Sequence, residues 1–134
     1  MAKIRDLVER TRAFGVDVCR FCRGLPGTSE AADIASQLRR SASAVGAGYR
    51  AAKRARSPLE FSAKIGAIIE EADESLHWFE CLLELEIGDP DAIAPLKQEA
   101  NELVAIFTTA HKTAKANLDR KKKRNRRRRN EDSA

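Results

Sequence analysis

The sequence predicts an all-α protein, an antiparallel up-down-up-down four-helix bundle. Two observations predict it. Apolar residues recur every three or four positions through four separate stretches, with no strand-like alternation anywhere. Pro26-Gly27, Ser57-Pro58 and Asp89-Pro90 punctuate those stretches, and so short a connection brings consecutive helices back beside one another.

The first helix is expected from Ala2 to about Gly24, with Ile4, Leu7, Val8, Phe14, Val18, Phe21, Cys22 and Leu25 on its apolar stripe. Thr28 or Ser29 caps the second, whose inward stripe of Ile34, Leu38, Ala42, Val45, Tyr49 and Ala52 reaches about Arg54. Between Ser41 and Gly48 no side chain is larger than Val45. Glycine in a helix interior costs about 1 kcal/mol against alanine, so Gly46 and Gly48 mark a close approach. Trp78 or Phe79 is the expected neighbour of Gly46 and Ala47.

Ser57-Pro58-Leu59-Glu60 reads as a capping box with proline at the first helical position. The Ser57 hydroxyl would accept from the Glu60 amide, and the Glu60 carboxylate would reach back to the Ser57 amide. The third helix buries Phe61, Ile65, Ile68, Ala72, Ser75, Phe79 and Leu82, turns Glu70, Glu74, Glu80 and Glu84 outward, and ends near Ile87-Gly88. Asp89-Pro90 resembles another cap, but Pro95 predicts a separate or kinked first turn, so the main fourth helix is expected from Pro95 to about Arg120. Its stripe is Leu96, Leu103, Ile106, Phe107, Ala110, Ala114 and Leu118. From Arg120 to Arg129 nine of ten residues are cations, whose mutual repulsion predicts a flexible arm, helical only on a polyanion. The expected division is a bundle over 1–119 and a basic, disordered tail over 120–134.

A chain of 134 residues buries one sizeable core without staples, and three cysteines with no apolar leader fit a reducing cytoplasm. The net charge of +5 hides three segments. Residues 1–64 hold thirteen Lys/Arg against six Asp/Glu, residues 65–119 hold three against twelve, and residues 120–134 hold nine against two. Opposed signs on two faces suit either an intramolecular helix pair or head-to-tail pairing of copies.

Catalytic and metal chemistry find little support. Cys19-x-x-Cys22 with His77 and Cys81 has metal-type residues, but the stripes put Cys22 inward and His77 outward, and a structural zinc ion needs four convergent ligands. Mid-helix cysteines also lack the helix N-terminus that stabilises a redox thiolate. Glu74-x-x-His77 has the spacing of a di-metal bundle motif but occurs once and faces outward. With no glycine-rich phosphate loop and no nucleophile-base pair, the chain is expected to be no enzyme and to need no cofactor or metal.

The runs Gln37-Leu38-Arg39-Arg40-Ser41, Val45 to Ala52, Arg54-Ala55-Arg56-Ser57, Glu60-Phe61, Lys64-Ile65 and Glu70 to Ser75, with Trp78, resemble a family of bacterial four-helix-bundle proteins. Some are encoded by intervening sequences of large-subunit ribosomal RNA genes. Accessory variability proteins of diversity-generating retroelements are similar in fold. The resemblance covers about residues 5–118 and implies a homopentameric ring with a basic surface; the retroelement members imply binding to nucleic acid and a reverse transcriptase. Gly48, Ala51 and His77 stand where Asn, Glu and an aromatic residue are common in the family, and the basic tail lies outside its pattern.

The sequence therefore predicts a cytoplasmic, oligomeric nucleic-acid-binding accessory protein, with RNA favoured and no membrane partner. The expected contacts are Arg39, Arg40, Arg50, Lys53, Arg54 and Arg56 on and beyond the second helix, and Arg120, Lys121, Lys122, Lys123, Arg124, Arg126, Arg127, Arg128 and Arg129 in the tail. Trp78 and Leu85, off the main stripe of the third helix, are the expected subunit interface. The alternative is a scaffold ring that binds a partner protein such as a reverse transcriptase.

Overall fold

Four helices account for nearly all of residues 6–133, which the computed structural model describes: α1 (Leu7–Arg23), α2 (Ser29–Lys53), α3 (Pro58–Glu84) and α4 (Pro90–Asp132). The described residues contain no strand. Each helix begins on a side chain that satisfies one of its orphan amides. Asp6 accepts from the Val8 amide at 3.2 Å, Thr28 from Ala31 at 3.2 Å, Ser57 from Glu60 at 3.1 Å and Asp89 from Asp91 at 2.9 Å.

α2 packs on α1 and α3, α3 packs on α4, and α1 meets α4 more thinly. On α1, Cys22 faces the Ala35 carbonyl, Gly15 faces Ala42 and Arg12 faces Gly46, so the contact moves up α2 as it moves down α1. Ser41 meets Ser75 and Gly48 meets Ile68 in the same opposed order on α2 and α3. At one end the α3–α4 turn lies over the α1–α2 turn. Gly88 adopts φ +84°, where a side chain is strained, and an added Cβ would press on the Leu25 side chain at 2.9 Å.

The core follows the expected stripes on α2 and α3 closely. Ile34, Leu38, Ala42, Val45, Ala52, Ile65, Ile68, Ala72, Ser75, Phe79 and Leu82 are buried, while Tyr49 and Phe61 are half-buried against them. Phe14 and Val18 from α1 and Leu103 and Phe107 from α4 are buried on their expected stripes too. Thr11, Gly15, Ile93 and Ala100 are buried as well, outside the expected stripes. Thr11 enters the core because its hydroxyl donates to the Leu7 carbonyl at 2.7 Å. The buried Ser41 and Ser75 hydroxyls lie 2.9 Å apart, so that one donates to the other while the second donates to a carbonyl of its own helix, Leu38 at 3.2 Å for Ser41 or Glu71 at 3.0 Å for Ser75.

Several expectations are corrected. α1 begins at Leu7 on the Asp6 cap; Ile4 lies outside the described residues. The Glu60 carboxylate reaches past Ser57 to the Arg56 amide at 3.3 Å, so the capping box closes one residue further back. α3 stops at Glu84 because Glu86 adopts a positive φ of 56°. α4 runs unbroken from Pro90, with Pro95 inside it. Proline removes one amide from the ladder, and the exposed flank there tolerates the loss.

The largest difference is at the other end of α4. The expected flexible arm is helix to Asp132. Lys and Arg are good helix formers, a helix already nucleated by packing extends without a new nucleus, and cations at a C-terminal end complement its dipole. Finally, Gly46 receives the backbone of α1 rather than Trp78 or Phe79.

Candidate nucleic-acid interface

The turn between α2 and α3 gathers cations because α2 ends in Arg50 and Lys53, its C-cap is Arg54 and Arg56 precedes the Ser57 cap. All four side chains are exposed. Arg50, Arg54, Arg56 and Lys64 surround one shallow depression of about 470 Å³. Lys64 is not legible as part of this cluster from the sequence, because a lone lysine on α3 gives no signal until folding sets it beside the turn. Its neighbour Glu60 stands 3.9 Å away and offsets part of the charge.

Beside this depression, a cleft of about 900 Å³ opens between the α2–α3 turn and the second half of α4. Lys53 and Arg56 lie on one wall, with Thr113, Ala114 and Asn117 on the other. Tyr49 and Phe61 contribute aromatic surface, and the Tyr49 ring lies against Phe107 with centroids 5.3 Å apart. Asn117 also receives a hydrogen bond from Arg120 at 2.9 Å, which ties the cleft to the first cation of the basic segment.

From Asp119 onward every described residue of α4 is exposed. At 1.5 Å per residue this segment extends about 20 Å. It carries Arg120, Lys121, Lys122, Lys123, Arg124, Arg126, Arg127, Arg128 and Arg129 on all sides of a helix rooted next to the cationic turn. Two clusters separated by more than sixty residues of sequence thus share one end of the molecule.

Arg39 and Arg40 do not join them. They lie about 15 Å before Arg50 along α2, and Arg40 is held by Glu74 at 3.3 Å and Gln37 at 3.2 Å. Trp78 is half-buried and packed against the core, with its indole N–H donating to Glu74 at 3.4 Å and its ring edge-on to His77. Leu85 is 50% exposed at the C-cap of α3. Trp78 therefore serves the bundle whatever else it touches.

Burial raises the Cys22 thiol to about 11, opposed by Arg39 and aided by Cys19. Cys22 points at the Ala35 carbonyl, Cys19 lies 3.9 Å from Ser43, and Cys81 lies 3.6 Å from His77. The described residues include no group of three or more His, Cys, Asp or Glu placed to hold a metal ion. No described helix is long and apolar enough to cross a membrane.

Fold and surface together define a helical protein with a basic helical extension. The chain belongs to the 23S rRNA-intervening sequence protein family, whose model matches residues 5–109. The match ends before the basic extension begins. No curated protein matches the chain closely in sequence. A crystal structure of a protein of unknown function from the S23 ribosomal protein family of Bacteroides thetaiotaomicron superposes with a TM-score of 0.74 at 21% identity, covering 80% of this chain and 99% of its own. That likeness concerns the fold.

Proposed function

We propose that this protein is a non-enzymatic RNA-binding accessory protein of the cytoplasm, an antiparallel up-down-up-down bundle ending at residue 119 with a basic arm over 120–134, helical to Asp132, as its second unit. The carrying observation is the shared end: Lys53 and Arg56 line the same cleft as Asn117 at the root of the arm, and Arg54 lies beside Arg56 in the neighbouring depression. Such an arrangement neutralises several phosphates of one strand at once and releases their counterions. The family description supplies the link to ribosomal RNA.

The test is RNA affinity against salt. With about six phosphates neutralised, affinity falls about a thousandfold between roughly 50 and 200 mM salt. Removing Arg120 to Ala134 weakens binding and leaves bundle stability in place. RNA affinity unchanged by that truncation at low salt removes the arm from the mechanism.

A second reading, a ring of copies that presents a scaffold to a partner such as a reverse transcriptase, is favoured by exposed apolar surface at the end of α3. Leu83 and Leu85 are 36% and 50% exposed beside the acidic Glu80 and Glu84. Acidic α3 on one copy would meet basic α1 and α2 on the next, closing as a homopentamer. Light scattering tests it: a monomer mass at micromolar concentration and moderate salt removes the ring, and a pentamer that persists in Leu85→Asp and in Trp78→Ala removes this interface.

A further inference from the structure

We infer that the cleft at the root of the basic arm is a nucleobase-stacking site, which takes an unpaired base of the bound RNA while flanking phosphates rest on Lys53, Arg56 and the arm. The inference rests on the RNA-binding reading and gives that surface a preference for unpaired strand. Its volume of about 900 Å³ is within the range of small-ligand clefts and exceeds what a single base requires.

Its chemistry is graded in the manner such a ligand needs. The interior is apolar and aromatic, from Tyr49, Ala52, Phe61 and Ala110, and the Tyr49 ring is supported from beneath by Phe107. Lys53 and Arg56 supply cations, Thr113 and Asn117 supply groups able to bond a base edge, and no carboxylate lines the cleft. A lipid tail or an apolar peptide would leave the cations and the amide without partners. An unpaired nucleotide matches all three zones, because every base has a face to stack, an edge to bond and a phosphate on either side.

The cleft also has a built-in connection to the arm. Asn117 lines it and accepts from Arg120, so the first cation of the extension is held within one helical turn of the opening. A strand that places one base inside the cleft has its next phosphate at Arg120. A fully paired duplex offers no free base and is left with the electrostatic contacts alone.

The experiment compares oligoadenylate, duplex RNA of the same charge and inorganic polyphosphate by fluorescence competition at low salt, using the full chain. Oligoadenylate should bind more tightly than polyphosphate. Ala114→Phe fills the cleft and keeps every cation, so it should lower oligoadenylate affinity about tenfold or more and narrow its advantage over polyphosphate. Thr113→Trp, at an exposed position, repeats the block should Ala114→Phe fail to fold. Equal affinity for oligoadenylate and polyphosphate, or full oligoadenylate affinity in a folded blocked variant, overturns the cleft and leaves the basic surface standing. Failure of all three probes to bind overturns the RNA-binding reading and the cleft together.

Discussion

Gly46 on α2 lies so close to Arg12 on α1 that a Cβ at Gly46 would stand 3.2 Å from both the Arg12 Cα and the Arg12 amide nitrogen. Gly15 reciprocates, with its own Cβ position 3.3 Å from the Ala42 carbonyl oxygen. The neighbours are backbone atoms, which move only if the helix moves. Gly46→Leu should therefore cost about 2–3 kcal/mol in urea unfolding, well above the ~1 kcal/mol that helix propensity returns. A stabilised variant would show that α1 can shift without cost.

Gly66 on α3 carries the opposite expectation. Its added Cβ would meet only the His111 side chain, at 3.4 Å. That is ordinary contact with a group able to rotate, so Gly66→Ala should stabilise by about 0.5–1 kcal/mol through helix propensity alone. A destabilised variant in the same assay would mean that His111 is locked in place.

Arg10 closes the thin side of the bundle. Its guanidinium donates to both Glu99 oxygens, at 2.9 and 2.6 Å, and to Glu102 at 3.2 Å. The Glu99 hydrogen bond leads in raising the Arg10 pKa, burial opposes it, and the charges of Glu99 and Glu102 add to the rise. The pair is partly exposed, so Arg10→Ala should cost only about 1 kcal/mol. Lysine cannot reproduce the two-pronged contact, and Arg10→Lys should recover less than half of the loss. Full recovery would reduce the contact to simple charge attraction.

Glu71 supplies a pH-dependent test. Burial raises its pKa above the ordinary carboxylate range, Glu74 raises it further, Arg40 opposes and Glu70 adds a smaller increase. One of its oxygens, Oε2, is buried without a hydrogen-bond partner. Because the folded pKa is the higher one, the favourable contribution is complete below the unfolded value and is lost as pH rises through the folded value. Glu71→Gln should consequently be more stable than the parent at pH 7, with the gap closing toward pH 4. A variant less stable at pH 7 would show that the attraction of Arg40 outweighs burial.

The exposed end of α4 should be sensitive to ionic strength. Like charges three and four residues apart each oppose the helix by about 0.2–0.5 kcal/mol, and nothing packs against Arg120 to Arg129 to resist fraying. Circular dichroism of the full chain minus that of a chain ending at Asp119 should show more helix as salt screens the repulsion. A difference spectrum indifferent to salt would mean that propensity alone holds the extension.

Local chemistry determined much of this protein. The stripes of α2 and α3, the hydroxyl and carboxylate caps and the cationic runs are written in residue type and spacing, because helical periodicity and capping are satisfied within a few residues of chain. Tertiary structure alone decided what meets what. Gly46 announced a close approach, yet only packing set α1 rather than Trp78 against it, since a missing side chain does not name its neighbour. Thr11 and Ala100 carry no strong apolar signal and are buried by position between helices. The arm's repulsion was legible, whereas its helical continuation depends on the ordered α4 behind it. The cleft was not legible at all: Tyr49, Phe61 and Asn117 come from three helices, and their common chemistry exists only where the fold brings those helices to one end.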